Sequence, residues 1–153
     1  MELSGDYELP ASKARVWQAL NDAEILKVCI PGCESFEQLS DTEFAAIVLV
    51  KIGPVKARFK GKVELSDINP TDGYTIAGAG EGGVAGFAKG GANVKLERAS
   101  DDITVLRYEV AATVGGKLAQ IGQRLVLGSV KKLAARFFAN FAEQIAGRAD
   151  GDA

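Results

Sequence analysis

KLAQIGQRLVLGSVKKLAARFFANFAEQIAGR, residues 117–148, is the stretch that decides how this chain folds. Ile121, Leu125, Phe137, Phe141 and Ile145 recur at helical spacing, and Val130 and Leu133 continue the stripe. Gln120, Arg124, Lys131, Lys132, Arg136 and Asn140 fall on the opposite face. The pattern predicts one amphipathic helix, far longer than the average of ~11–12 residues. Proline is absent from it, and Gly122 and Gly128 mark places where it can bend or approach a neighbour closely. A lone helix cannot hide an apolar stripe, so the chain before it must supply the surface that it covers.

Upstream the periodicity changes from helical to alternating. Leu3, Gly5, Tyr7 and Leu9 alternate with Glu2, Ser4, Asp6 and Glu8, which predicts a half-buried strand. Pro10 ends it. Ser12 can cap a short helix that turns Val16, Trp17 and Leu20 inward, and Asn21 or Asp22 a second one carrying Ile25, Leu26 and Val28. Ile30-Pro31-Gly32 must break that helix. From there to about Val114 the pattern is all strand: Glu34–Leu39, Thr42–Ile52, Val55–Leu65, Tyr74–Gly80, Ala88–Leu96 and Ile103–Val114. The clearest alternation puts Val55, Ala57, Phe59, Gly61, Val63 and Leu65 inside, with Lys56, Arg58, Lys60, Lys62 and Glu64 outside. Ile47 and Leu49 then fall on the outer face as apolar residues and suggest a partner surface.

Short turns join all these segments, so the sheet should be an antiparallel meander with no helical crossover inside it. The expected fold is α+β: a curved, seven-stranded antiparallel sheet wrapped around the long C-terminal helix, with two short helices after the first strand. One domain should span 1–149, leaving 150–153 as a short tail. The inward positions include Gly5, Ala46, Ala57, Gly61, Ala92 and Ala112, too small to fill the interior of a curled sheet. Packed interiors leave few voids, so unfilled space predicts a ligand cavity. Its expected lining is Trp17, Phe44, Val48, Val50, Phe59, Val63, Tyr74, Leu106, Tyr108, Leu125, Phe137 and Phe141.

Composition sets the class. The 153 residues are 47% hydrophobic and 25% charged, ordinary values for a globular domain with a real core. A net charge of −2 gives no general reason to expect nucleic acid. The charge is uneven, however: residues 117–148 hold six basic side chains and one acid, Glu143. Arg124, Lys131, Lys132 and Arg136 are therefore candidates for a docking surface facing an acidic partner or anionic lipid. The chain opens without a basic or apolar leader, no run is long enough to span a membrane, and two cysteines make no scaffold. A cytoplasmic setting is the expectation.

Much chemistry is excluded at once. With no histidine there is no Ser-His-Asp or Cys-His catalysis and no His-ligated metal. Cys29 and Cys33 provide at most two thiolates and do not form the C-x-x-C redox spacing. They read as small apolar residues, and their proximity in sequence leaves a conditional disulfide open. Gly78-Ala79-Gly80-Glu81-Gly82-Gly83 matches G-x-G-x-x-G in form only, because no helix follows to present its amides to phosphate. It reads instead as a hairpin loop, with Gly83, Gly86 and Phe87 as a gate at one mouth of the cavity. No inward pair of carboxylates is available for acid–base work, and no metal site is expected.

The sequence also resembles a known family. Trp17 and Leu20, Ile30-Pro31-Gly32-Cys33, Lys51-Ile52-Gly53-Pro54 with Phe59-Lys60-Gly61, Gly86-Phe87-Ala88-Lys89-Gly90 and Ile121-Gly122-Gln123-Arg124-Leu125 carry the likeness. In this order they are similar to the CoxG family, named for the G subunit of carbon monoxide dehydrogenase, within the START-type (SRPBCC) helix-grip superfamily. The resemblance implies a non-catalytic accessory protein of a CO dehydrogenase-type molybdenum hydroxylase. It further implies a bound quinone or lipid-like molecule between sheet and helix, and a peripheral place at the inner face of the cytoplasmic membrane. It implies no other cofactor. Two alternatives stand beside it: a pure protein or membrane adaptor without ligand, and a cyclase-like enzyme of the same superfamily using Tyr74 or Tyr108.

Overall fold

The structure, a computed structural model, describes residues 1–146. Strand β1 (Glu2–Leu9) leads into α1 (Lys13–Leu20) and α2 (Ala23–Cys29). Six strands follow: β2 (Cys33–Gln38), β3 (Glu43–Ile52), β4 (Val55–Asn69), β5 (Gly73–Glu81), β6 (Phe87–Ser100) and β7 (Ile103–Gly115). A single 3-10 turn, Gly83–Ala85, sits between β5 and β6, and α3 (Lys117–Gln120) and α4 (Gln123–Ala146) come last. All strands pair antiparallel in the order β1-β7-β6-β5-β4-β3-β2. β2 to β7 form the expected meander, and β1 closes on β7. This is the helix-grip fold.

Local chemistry explains the boundaries. Ser12 Oγ accepts the Arg15 amide at 3.2 Å and starts α1. Asp22 accepts the amides of Glu24 and Ile25 and starts α2, while Asn21 donates its Nδ2 back to the Trp17 carbonyl at 2.9 Å. Ile30, held extended before Pro31, ends α2. The loop beyond it lies against β3, with the Leu49 amide donating to the Gly32 carbonyl. Ile47 and Leu49, expected on an open outer face, are both half-buried beside this loop and β2.

The C-terminal helix differs from expectation in one respect that matters. Residues 117–146 form two helices, not one, because Gly122 adopts φ +100, a conformation no α-helix contains. The helix resumes when the Val126 amide bonds the Gly122 carbonyl at 3.2 Å. The break resets the phase. Val126, Val130, Phe137, Phe141 and Ile145 face the sheet, while Leu125 is 44% exposed and lies beside Gly53 in the β3–β4 turn. Asn140, placed by the pattern on the polar face, donates to the Cys29 carbonyl at 3.0 Å and ties α4 to α2. Arg148 and the expected 150–153 tail lie outside the described residues.

Apolar residues gather in two clusters. The larger joins α1, α2 and the second half of α4 to the sheet and contains Leu9, Val16, Ala19, Ile25, Cys29, Leu106, Phe141 and Ile145. The smaller lies under α3 and the first half of α4 and contains Ile52, Val55, Ala85, Leu118 and Val126.

Candidate functional site

The register of the sheet explains where it is hollow. Ala46, Gly61, Gly80 and Ala88 stand opposite one another across β3 to β6, all facing inward. In the adjacent row Gly78, Gly90 and Ala112 do the same across β5 to β7. At Gly90 a Cβ would lie 2.3 Å from the Ala111 carbonyl oxygen, so the sheet bends there more tightly than any other residue allows. Rows without bulk beneath the helix leave space.

Gly80, Ala88 and Ala112 of these rows border an apolar chamber of ≈ 350 Å³. Val48, Val50 and Ile52 of β3, Phe59 of β4, Gly80 and Ala88 form one wall, and Val110, Ala112 and Val114 of β7 with Leu3 form the other. Leu118, Val126, Leu127 and Val130 roof it, and Met1 and Glu2 lie at its edge. Apart from Glu2, no lining residue carries an ionisable side chain. The volume falls at the lower end of the ~300–1,000 Å³ typical of small-molecule pockets. Two larger depressions, ≈ 930 and ≈ 620 Å³, are more open to solvent and have charged side chains at their walls, Lys62, Glu64 and Lys89 in the first and Glu109 in the second.

Of the twelve residues expected to line a cavity, Val48, Val50 and Phe59 border this chamber. The other nine do not, and here the expectation is corrected. Trp17, Phe44, Val63, Tyr74, Leu106, Tyr108, Phe137 and Phe141 belong to the larger cluster, where they fill space. Trp17 packs on Tyr74 with ring centroids 5.4 Å apart, Phe137 stacks on Phe141 at 5.8 Å, and Tyr108 lies against Phe138 at 5.7 Å. Leu125 stands outside because of the phase break at Gly122.

Val126 and Leu127 were missed for the same reason: a stripe drawn continuously from Ile121 points Leu125, not Val126, at the sheet. Phe138, also missed, stacks on Tyr7 at 4.2 Å. The Phe137-Phe138 pair was the available signal.

The two tyrosines proposed for enzymatic chemistry sit in the packed region. Burial pushes the Tyr74 phenol up to about 12, and burial with the neighbouring Tyr7 raises that of Tyr108. Both are poor proton donors at neutral pH. Burial likewise pushes the Cys29 thiol up to about 11, while Cys33 donates its thiol to the Ser35 carbonyl at 3.3 Å. Among the described residues no three metal-ligating side chains stand together.

The glycine-rich loop is anchored at one point. Gly83 and Gly86 have positive φ, and between them Ala85 is buried in the smaller cluster. Phe87 turns to the outer face over Gly115 and is 41% exposed, so it does not face the chamber. Val84 at the tip is 83% exposed. Leu125 lies against Gly53 in the β3–β4 turn. Arg124, Lys131, Lys132 and Arg136 are all exposed along α4.

Comparison with known proteins places this geometry. The family model for CoxG, the G subunit of carbon monoxide dehydrogenase, matches residues 5–146. A conserved protein from Geobacillus kaustophilus has a crystal structure with TM-score 0.91 and 35% identity, covering 97% of each chain. The Zhui aromatase/cyclase from Streptomyces sp. R1128 has TM-score 0.67 at 12% identity, over 97% of this chain and 94% of its own. Truncated norcoclaurine synthase from Thalictrum flavum has TM-score 0.64 at 15% identity, over 95% and 92%. These last two share the fold. No curated protein sequence matches the chain.

Proposed function

The chain belongs to the CoxG family of carbon monoxide dehydrogenase, and on that premise we propose that it is a non-catalytic accessory protein of a CO dehydrogenase-type molybdenum hydroxylase, holding an apolar small molecule in its chamber. The observation that carries this reading is the chamber: ≈ 350 Å³ lined almost wholly by carbon, where Gly80, Ala88 and Ala112 leave the sheet unfilled. Such a surface rewards transfer of an apolar ligand from water by ~25 cal/mol per Å² buried and offers no group to transform it. A quinone ring or the end of a lipid chain fits this chemistry. A long isoprenoid tail would have to extend beyond it.

Exposed apolar residues support a link to the membrane. Val84 and Leu125 present apolar side chains to solvent, and Arg124 precedes Leu125 in the chain. An apolar tip with cations beside it is the chemistry of peripheral binding to anionic lipid. No described helix is long and apolar enough to cross a bilayer.

Native mass spectrometry of the purified chain, with equilibrium dialysis against a short-chain naphthoquinone, tests the ligand. A co-purifying apolar molecule or saturable quinone uptake is expected, and Ala112→Leu, which fills the chamber, should weaken uptake at least tenfold. Uptake that is unchanged by Ala112→Leu would sink the reading. The exposed cations of α4 favour a second reading, a pure adaptor. Charge reversal at Lys131, Lys132 and Arg136 separates the two: it abolishes partner or liposome binding by an adaptor, and leaves quinone uptake intact in a carrier.

A further inference from the structure

One segment of the chamber's roof is built differently from the rest. Val126, Leu127 and Val130 sit on α4. The far half of that helix is fixed by Phe141 and Ile145, each at most 1% exposed, and by the bond from Asn140 to the Cys29 carbonyl. Leu118 sits on α3, a helix of four residues in which it alone is buried. The hydrogen bonds that shape α3 run from the Ala119 and Gln120 amides to the Gly116 carbonyl and from the Ile121 amide to Lys117, so they close within the segment. Among the described residues no side chain caps it.

A glycine with left-handed backbone bounds α3 on each side, Gly116 at φ +69 and Gly122 at φ +100. A Cβ at Gly116 would lie 2.5 Å from the Gly86 Cα, so close backbone contact holds that end. A Cβ at Gly122 would meet nothing within 4 Å. Glycine is needed there for its conformation alone, and its surroundings leave the backbone room to change it. α3 thus has one fastened end, one free pivot and a single buried side chain between them. A segment with so few buried contacts opens locally while the rest of the fold stays intact. Hinges of this kind are a few residues at element ends that absorb the change in φ and ψ.

We propose that α3 is the gate of the chamber, turning about Gly122 and Gly116 to lift Leu118 out of the roof and admit the ligand; this rests on the chamber being a binding site. Ile52, Leu118 and Val126 border the chamber and are each at most 5% exposed, so on this side one of them must give way before a ring can pass. Ile52 is held in the β3–β4 ladder opposite Val55, and Val126 belongs to the anchored helix. Leu118 can leave when one short turn opens. Such a gate sets how fast a ligand enters and leaves, not how tightly it is held. Loosening α3 destabilises the closed state of the free and the loaded protein alike, so both rates rise by the same factor.

Stopped-flow fluorescence of the full chain mixed with a short-chain naphthoquinone tests this. Ala119→Gly with Gln120→Gly weakens α3 at two exposed positions that do not border the chamber. Association and dissociation rates should both rise about fivefold or more, with Kd constant within about twofold. Ala135→Gly with Ala139→Gly, at exposed positions of α4, is the control: it lowers overall stability and should leave both rates as in the wild type. In the quinone-free chain the amides of Ala119, Gln120 and Ile121 should exchange with solvent about a hundredfold faster than those of Phe137 to Ile145. Rates that ignore the α3 glycines, or that rise equally in the α4 control, overturn the gate and leave the chamber a binding site reached from elsewhere, such as its Met1–Glu2 edge. A change confined to Kd overturns it as well. A wild-type chain that takes up no quinone sinks the binding reading, and the gate with it. Amides of α3 that exchange as slowly as those of α4 overturn the opening itself, whatever the ligand does.

Discussion

Phe137 to Ile145 of α4 settle onto Leu9, Val16, Ala19, Leu20, Cys29 and Leu106, and Phe141 and Ile145 are almost wholly sealed from solvent. Val126 to Val130, earlier in the same continuous helix, face Gly80, Ala88 and Ala112 across the ≈ 350 Å³ chamber. Helix and sheet are the same in both places. What differs is the residue size opposite and the presence of α1 and α2, which wedge into one end only. A helix-grip protein is therefore hollow where its cross-strand rows are small and no short helix intrudes. The abundance of large apolar side chains marks the opposite end, where it is solid.

This contrast can be broken most sharply at its solid end. Phe141→Ala removes a fully buried ring from a region with nothing to refill it. We expect a loss of about 3–5 kcal/mol in urea denaturation, a large part of a small domain's stability. A loss below about 1 kcal/mol would mean that the packed half is not packed.

Alkaline pH probes the same end less drastically. The folded phenol of Tyr74 ionises at about 12, above its ordinary value of 10.0. The unfolded chain therefore releases that proton first, and stability is full below pH 10 and falls as pH rises to 12, by about 2–3 kcal/mol. Cys29, raised from 9.0 to about 11, starts the decline one unit earlier. Urea midpoints between pH 8 and pH 12 should show this descending limb, and Tyr74→Phe should remove the Tyr74 part of it.

The hollow end should give the smallest effect on stability and the largest on binding. Val130→Phe adds volume where space exists, so its cost should stay below about 1.5 kcal/mol, the range of tolerated repacking. Quinone uptake by the same variant should fall at least tenfold. If Val130→Phe destabilises as much as Phe141→Ala, the chamber is not free space in solution.

Fold and site were not equally legible in the residues. Alternation from Val55 to Leu65 named the inward face of β4 correctly at every position, because period-two patterning is a local property of each strand. Ser12 and Asp22 announced their helices, and Ile30-Pro31 the end of the second. The small inward residues signalled that space would be left somewhere. Its location was not legible, because that depends on which residues of different strands become neighbours. Gly80, Ala88 and Ala112 lie on three different strands and form one floor only through register.

By itself, then, the sequence determined the α+β order, the antiparallel meander, the inward and outward faces, and the lack of histidine chemistry. Each of these follows from short-range periodicity, turn residues or composition. Only the tertiary structure decided that Val126 rather than Leu125 faces the sheet, that the aromatic residues fill one end, and that the chamber lies at the other. Those outcomes rest on one backbone conformation at Gly122 and on long-range register, and packing alone sets both.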